Sequence, residues 1–187
     1  MPVLRFLRVV LAASLKSRLG PLDESLLRVR VWPNDLDVNR HLNNGRAMNL
    51  TDLGRWDLLV RSGLWKVALR RKWGTAVALA HVRFRRPGRL FQRLTLRTRI
   101  LCWDARWIYM EHRLEDAAGG VVLRSLLQTA VVGGGKVIPT DELMRAMAIE
   151  TPSPPMPEEL RRWLDATATA QEAGKERKGQ AELAAAQ

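Results

Sequence analysis

The stretch Asp35-Leu36-Asp37-Val38-Asn39-Arg40-His41-Leu42-Asn43-Asn44 decides how the rest of the chain is interpreted. It combines aspartates, asparagines and a histidine, which favour turns and helix N-termini over the interiors of strands and helices. Before it, residues 27–31 alternate apolar side chains with arginine, which predicts a strand. After it, residues from about 44 to 60 have the apolar spacing of a helix. The polar run therefore lies at a strand-to-helix junction, where free backbone N–H groups and the helix dipole meet it.

Length and composition bound the protein class. The chain has 187 residues, 47% of them hydrophobic, which suits one globular domain. The lone Cys102 cannot form an internal disulfide, so a reducing, cytoplasmic compartment is expected, and its mid-strand position predicts packing. The net charge of +12 lies ahead of the C-terminal tail and fits an anionic membrane surface or a ligand rich in phosphate and carboxylate. Nucleic acid is not expected, because no recognition helix or aromatic RNA-binding motif accompanies the charge.

Residues 2–19 predict an amphipathic helix, with Leu4, Leu7, Leu11 and Leu15 at helical spacing beside several arginines. Two interpretations stay open for residues 1–19. One is peripheral contact with the inner face of a membrane, and the other is packing on the same domain or on a partner subunit. A cleaved signal peptide is disfavoured because a charge interrupts a short apolar core.

From Gly74 onward the apolar period changes to two, and four strands follow, with a hairpin turn at residues 86–89. A strand, a helix and four more strands cannot form a doubly wound parallel sheet, so we expect an α+β fold with one antiparallel sheet wrapped around a long helix. Gly54 inside that helix indicates a close approach to the sheet. The predicted boundaries are 1–22 for the N-terminal helix, 23–150 for the domain and 151–187 for the tail. Within the tail, 157–168 predicts a short helix and 171–187 predicts disorder.

Metal binding is one hypothesis for the polar run. Asp35, Asp37 and Asn39 stand at the first, third and fifth positions of a calcium loop, but Arg40 and Arg46 stand where it needs Gly and Glu. Zinc binding is not expected either, because His41 is the one suitable zinc ligand in this stretch. A purely structural role is the other hypothesis, with an asparagine capping the helix and the aspartates satisfying turn backbone. No metal or cofactor is therefore expected.

The run resembles the signature of the hotdog-fold acyl thioesterase superfamily, in which Asp-x-Asp-x-x-x-His-x-Asn-Asn precedes the long central helix. Its second half is most similar to the form found in plant-type acyl carrier protein thioesterases. The strand and helix order agrees with a single hotdog domain over about residues 25–138. One departure is Ala47, where family members often have a tyrosine.

The resemblance implies hydrolysis of acyl-CoA or acyl carrier protein thioesters to a free fatty acid and a thiol. Asp37 matches the catalytic carboxylate, acting as general base or nucleophile, and Asn39 and His41 match residues that act with it. Asn43, Asn44 and Gly45 match the helix start, whose amides would stabilise an oxyanion.

The resemblance also implies partners. Hotdog domains pair with the acyl tunnel at the subunit interface, so we expect a homodimer or a dimer of dimers. Four arginines near one turn would hold the phosphates of CoA or the acidic face of a carrier protein: Arg83, Arg85, Arg86 and Arg89. The alternative function is a non-catalytic hotdog that binds acyl thioesters or scaffolds a membrane complex.

Overall fold

The computed structural model describes residues 3–170, in two compact units that divide after residue 154. The helices of the first unit are α1 (Val3–Leu15), α2 (Asn44–Ser62), α3 (Leu64–Arg71) and α4 (Thr140–Met147). Its strands are β1 (Ser25–Arg30), β2 (Gly74–Phe84), β3 (Arg93–Trp103), β4 (Ile108–Glu115), β5 (Val121–Gly133) and β6 (Lys136–Val137), and a 3-10 turn covers Pro33–Asp35. The second unit contains a helix over residues 158–170, as predicted for part of the tail. The disorder predicted for 171–187 lies outside the described residues.

The strands form one antiparallel sheet in the order β1-β3-β4-β5-β2, with β6 paired to β5, and α2 packs against it. This arrangement confirms the predicted α+β hotdog architecture. The predicted hairpin at residues 86–89 is wrong, because β2 pairs with β5 while β3 lies between β1 and β4. Turn residues specify a local reversal of the chain, but burial of the apolar faces decides which strands pair.

Helix α2 begins and ends on specific caps. The Asn43 side chain accepts a hydrogen bond from the Arg46 N–H at 3.2 Å, and Gly63, with φ of +83°, ends the helix. Its buried residues include Ala47, Leu50 and Leu53, which join the core formed with β1, β3 and β5.

Gly54 is required by the contact between α2 and the sheet. A Cβ atom at this position would overlap the Thr98 hydroxyl and lie 3.0 Å from Leu96 Cδ2. The predicted close approach of helix and sheet is therefore confirmed. The absence of a side chain at Gly54 lets β3 pass directly beneath the helix.

Helix α1 uses two opposite faces differently. Phe6 packs edge-on against Trp56 at 5.0 Å between ring centroids, and Ala13 is buried. On the other face the leucines are exposed by 71%, 48%, 65% and 89% at Leu4, Leu7, Leu11 and Leu15. The helix thus packs on its own domain and still presents an apolar stripe. Between residues 3 and 170, none of the helices combines the length and hydrophobicity that crossing a bilayer requires.

Candidate active site

The Asp37 carboxylate is held by the turn that contains it. Its Oδ1 accepts the Asn39 N–H at 2.9 Å and the His41 N–H at 3.2 Å. The Asp37 N–H donates to the His41 carbonyl at 2.9 Å, and Arg40 takes a positive φ of +58° to close the turn. No donor among the described residues is bonded to Asp37 Oδ2. One oxygen therefore fixes the orientation of the carboxylate, and the other remains available to a ligand or a water molecule.

Residues 88 and 89, which precede β3, form backbone hydrogen bonds with this turn. Leu42 donates its N–H to the Gly88 carbonyl at 2.8 Å, and His41 forms a backbone bridge with Arg89. A Cβ at Gly88 would lie 2.8 Å from the Leu42 Cβ, so only glycine allows this approach. The turn is consequently supported by a second segment as well as by its own hydrogen bonds.

Asp35 has a structural role. It is buried and forms an ion pair with Arg5 at 2.9 Å, and the same carboxylate accepts the Trp32 N–H at 2.9 Å. The Asp35 carboxylate is therefore directed into the protein interior. Between residues 3 and 170 no group of three or more His, Cys, Asp or Glu side chains is placed to hold a metal ion.

The first turn of α2 offers two backbone donors. Asn43 satisfies the N–H of Arg46 with its side chain and the N–H of Ala47 with its carbonyl, at 2.8 Å. The N–H groups of Asn44 and Gly45 have no acceptor within the described chain, and both residues are exposed. Because the helix dipole is positive at this end, the two amides can stabilise a negatively charged oxygen.

The structure brings most of the predicted residues together. Asp37, His41 and the three residues at the helix start lie at one junction, and Arg89 joins them through its bridge to His41. The side chains of Asn39 and His41 are exposed and make no hydrogen bond to the described part of the protein. Arg83 lies near the end of β2, where it is opposite Arg124 of β5. Arg85 is exposed, and Arg86 forms an ion pair with Asp116 at 3.6 Å. Ala47 is buried, so this position faces the core.

An apolar cavity of about 430 Å³ was not predicted from the sequence. It is formed by the second half of α2, the start of β2, the inner face of β3 to β5, and α4, which was also not predicted. Representative lining residues are Leu59, Val77, Ile100, Met110, Val131 and Met147. None of the predicted site residues lines it. Arg55, its lining residue nearest the helix start, is eleven residues beyond Asn44, which is roughly 16 Å along the helix axis.

A buried polar group lies beside this cavity beneath Gly54. His112 Nδ1 is 2.8 Å from the Thr98 hydroxyl, while His112 Nε2 and the Ser125 hydroxyl have no hydrogen-bond partner among residues 3–170. Burial and, to a smaller extent, the charge of Arg55 together lower the pKa of His112 to about 3. His112 is therefore a neutral imidazole. Its neighbour on the same face of β4, Met110, lines the cavity.

Cys102 is buried in β3, and burial raises the pKa of its thiol to about 11. A thiol in this state is a poor nucleophile, and the predicted packing role is confirmed.

Comparison with known proteins agrees with the fold and with the family that the sequence resembles. Residues 31–164 match the thioesterase-like superfamily. Protein THEM6 of Xenopus laevis is 33% identical over 159 residues, covering 80% of this chain and 74% of that protein. Two solved structures share the fold. The probable thioesterase YbaW of Escherichia coli has a TM-score of 0.62 at 20% identity over 66% of this chain and 96% of its own. A putative oleoyl thioesterase of Lactobacillus plantarum has a TM-score of 0.63 at 15% identity over 73% and 56%. The chain therefore belongs to the thioesterase-like superfamily of hotdog proteins, and its enzyme class is that of the thioester hydrolases.

Proposed function

We propose that the protein hydrolyses fatty acyl thioesters of CoA or acyl carrier protein, with Asp37 as the general base. The observation that carries this proposal is the Asp37 carboxylate, fixed through Oδ1 with Oδ2 open, beside the free amides of Asn44 and Gly45. A base and an oxyanion site at one junction are the two elements that acyl transfer to water needs.

The proposed reaction proceeds in two steps. Asp37 takes a proton from water while the water oxygen bonds to the thioester carbon, and the Asn44 and Gly45 amides stabilise the resulting oxyanion. The C–S bond then breaks, the carbonyl re-forms, and the proton held by Asp37 passes to the thiolate, directly or through His41, which regenerates the base. Asn39 would hold the water. Direct attack by Asp37 through an anhydride is the alternative route.

The acyl chain is best placed in the apolar cavity. A cavity of about 150 Å³ accommodates benzene with its six carbons, so 430 Å³ is enough for an acyl tail of up to about 17 carbons. The name of the oleoyl thioesterase, a structural neighbour, is in keeping with a substrate of this size.

A homodimer would join the cavity to Asp37. Strand β2 pairs with β5 on one side only in the described chain, and its eleven mostly exposed residues leave a long free edge. Two copies that pair these edges around a two-fold axis would place the start of one β2 beside the end of the other. The cavity adjoins the start of β2 at residues 75–77, and the Asp37 turn contacts Gly88, just beyond its end. Each site would then combine the cavity of one subunit with the Asp37 of its partner.

The arginines near the end of β2 would hold the thiol carrier. Arg83, Arg85 and Arg89 are exposed and make no ion pair with a carboxylate of the described chain, whereas Arg86 is shared with Asp116. Guanidinium groups without carboxylate partners are suited to phosphate or to an acidic protein face.

Peripheral membrane contact is a further part of the proposal. The exposed leucines of α1 lie beside Arg8 and Arg18, two exposed cations without a carboxylate partner in the described residues. Flotation with vesicles containing anionic lipid tests the contact. Leu4→Ser combined with Leu11→Ser should abolish binding without disturbing the Phe6 face, and a wild-type protein that fails to float would contradict it.

Asp37→Asn tests the mechanism, because asparagine preserves the turn but cannot accept the proton. We expect kcat for acyl-CoA hydrolysis to fall by about 10²–10⁴-fold. Asp116→Asn is the matched control, since Asp116 also caps its own turn, accepting the Ala118 and Gly120 N–H groups at 3.0 and 2.7 Å. Equal activity of Asp37→Asn and wild type would refute the assigned role. Tight acyl-CoA binding with no turnover by wild type would instead identify a non-catalytic binding protein.

A further inference from the structure

The end of β1 presents an arginine held between two exposed aromatic rings. The Arg30 guanidinium carbon lies 5.5 Å from the centroid of Trp32 and 5.6 Å from that of Phe91. Arg30 Nε donates to the Phe91 carbonyl at 3.2 Å, and the rings meet edge to face at 5.9 Å. Trp32 and Phe91 nevertheless remain 43% and 47% exposed. The group is thus fixed in geometry and open to solvent.

Beside this group, two like charges face each other across the pair of strands β1 and β3. Arg93 is directly opposite Arg30 in the pairing of β1 with β3, and both side chains are exposed. Like charges directly opposite each other weaken a sheet. In the described chain neither guanidinium has a carboxylate partner, so the pair lacks a counter-charge from the protein. A bound anion would remove this repulsion.

Phe91 has an unusual backbone conformation. Its φ of +59° is in the left-handed region, which a bulky side chain rarely adopts. The conformation is held by the Phe91 N–H bond to the Val31 carbonyl at 2.9 Å and the Val31 N–H bond to the Gln92 carbonyl at 3.0 Å. Strained residues of this kind cluster at ligand sites, and this backbone conformation accompanies the placement of the Phe91 ring beside Arg30.

We propose that this Arg30-Trp32-Phe91 cluster, with Arg93, binds the nucleotide end of CoA. The two guanidinium groups would hold the 3′-phosphate, and an exposed ring face would stack on the adenine. The inference rests on the proposed thioesterase function and names CoA as the carrier. The location of the cluster agrees with this assignment, because Arg89, which forms a backbone bridge with His41 in the candidate active site, is only two residues from Phe91. A thioester at Asp37 could therefore extend its nucleotide end to the cluster.

A truncated substrate provides the sharpest test. We compare one acyl group on CoA and on pantetheine, which lacks the nucleotide, using Trp32→Ala and Phe91→Gly, the latter suited to the positive φ. KM for acyl-CoA should rise roughly ten- to a hundredfold, with kcat unchanged. The pantetheine thioester should be hydrolysed as by wild type. The control is Trp107→Ala, because Trp107 also carries a stacked arginine, Arg106 at 4.8 Å, in the turn between β3 and β4. An equal loss with both substrates, or no change with CoA, would overturn the inference.

Calorimetry separates this inference from the proposed function. Wild type should bind CoA more tightly than dephospho-CoA, and Arg30→Gln should erase that difference, whether or not the protein turns over any thioester. Inorganic phosphate serves as the probe for a simple anion site. If Arg30→Gln weakens CoA and dephospho-CoA equally, or if phosphate competes as well as CoA does, the nucleotide assignment is wrong.

Discussion

Helix α2 begins among exposed polar side chains and ends against an apolar cavity. At its start, Asp37 and two free amides are held by hydrogen bonds within a few residues of one another. At its end, the cavity is assembled from α2, α4 and four strands that are distant in sequence. In the proposed reaction the first region supplies the chemistry and the second holds the acyl chain. The comparison teaches that a single chain separates the two along one helix, and in the proposed reaction a second copy would bring them together.

After the loss of the Asp37 base, the largest expected effect is the loss of the Asn44 backbone amide. Asn44→Pro removes this N–H, and proline is well tolerated at the first helical position, after an Asn43 that is already extended at ψ of 137°. We expect kcat to fall by about 10²–10³-fold. Asn44→Ala keeps the amide and should retain activity. If both variants are equally active, the oxyanion site lies elsewhere.

The next effect concerns the middle of α2, between the two regions. Gly54→Ala would push the helix away from Thr98 and Leu96, and we expect the free energy of unfolding to fall by about 3 kcal/mol. Urea denaturation measures the loss. A change within about 0.5 kcal/mol, the usual size at a surface position, would contradict the close contact.

His112 predicts a pH dependence at the cavity end. Its folded pKa of about 3 lies below the ordinary value of 6.5, so the unfolded chain binds the proton first as pH falls. The stability contributed by neutral His112 is complete above pH 6.5 and declines by about 1.4 kcal/mol per pH unit between 6.5 and 3. From pH 7.5 to 4.5, wild type should lose roughly 2–3 kcal/mol more than His112→Gln. Equal losses of unfolding free energy in the two proteins would mean that His112 is protonated in the folded state, which would contradict the prediction.

The smallest expected effect is a change in the acyl-chain length that the enzyme prefers. Met147→Ala enlarges the α4 end of the cavity and leaves the Asp37 turn untouched. The preferred acyl chain should lengthen, with each additional buried methylene favoured by about 0.8 kcal/mol, or about fourfold in kcat/KM. A panel of acyl-CoA substrates measures this shift. An unchanged preference would show that the chain lies outside the cavity.

The same contrast explains what the sequence could predict. The Asp37 turn and the Asn43 cap depend on neighbours a few residues away, so the residue types indicated them directly. Gly54 also indicated its contact, since a glycine inside a helix needs a packing reason. The cavity, α4 and the Thr98–His112 pair depend on which strands become neighbours, and local periodicity carries no such information. The assumed hairpin at residues 86–89 failed for that reason. The Arg30 cluster was missed because its three residues come from two separate segments.

Subunit complementation tests the central claim most directly, namely that Asp37 of one subunit serves the cavity of its partner. Leu59→Trp fills the cavity, Asp37→Asn removes the base, and each variant alone should be inactive. After mixing, unfolding and refolding, half of the dimers are mixed and each has one intact site, so about a quarter of wild-type activity should return. Activity that stays at the level of the separate variants would show that each site is built within one chain, which would contradict the account.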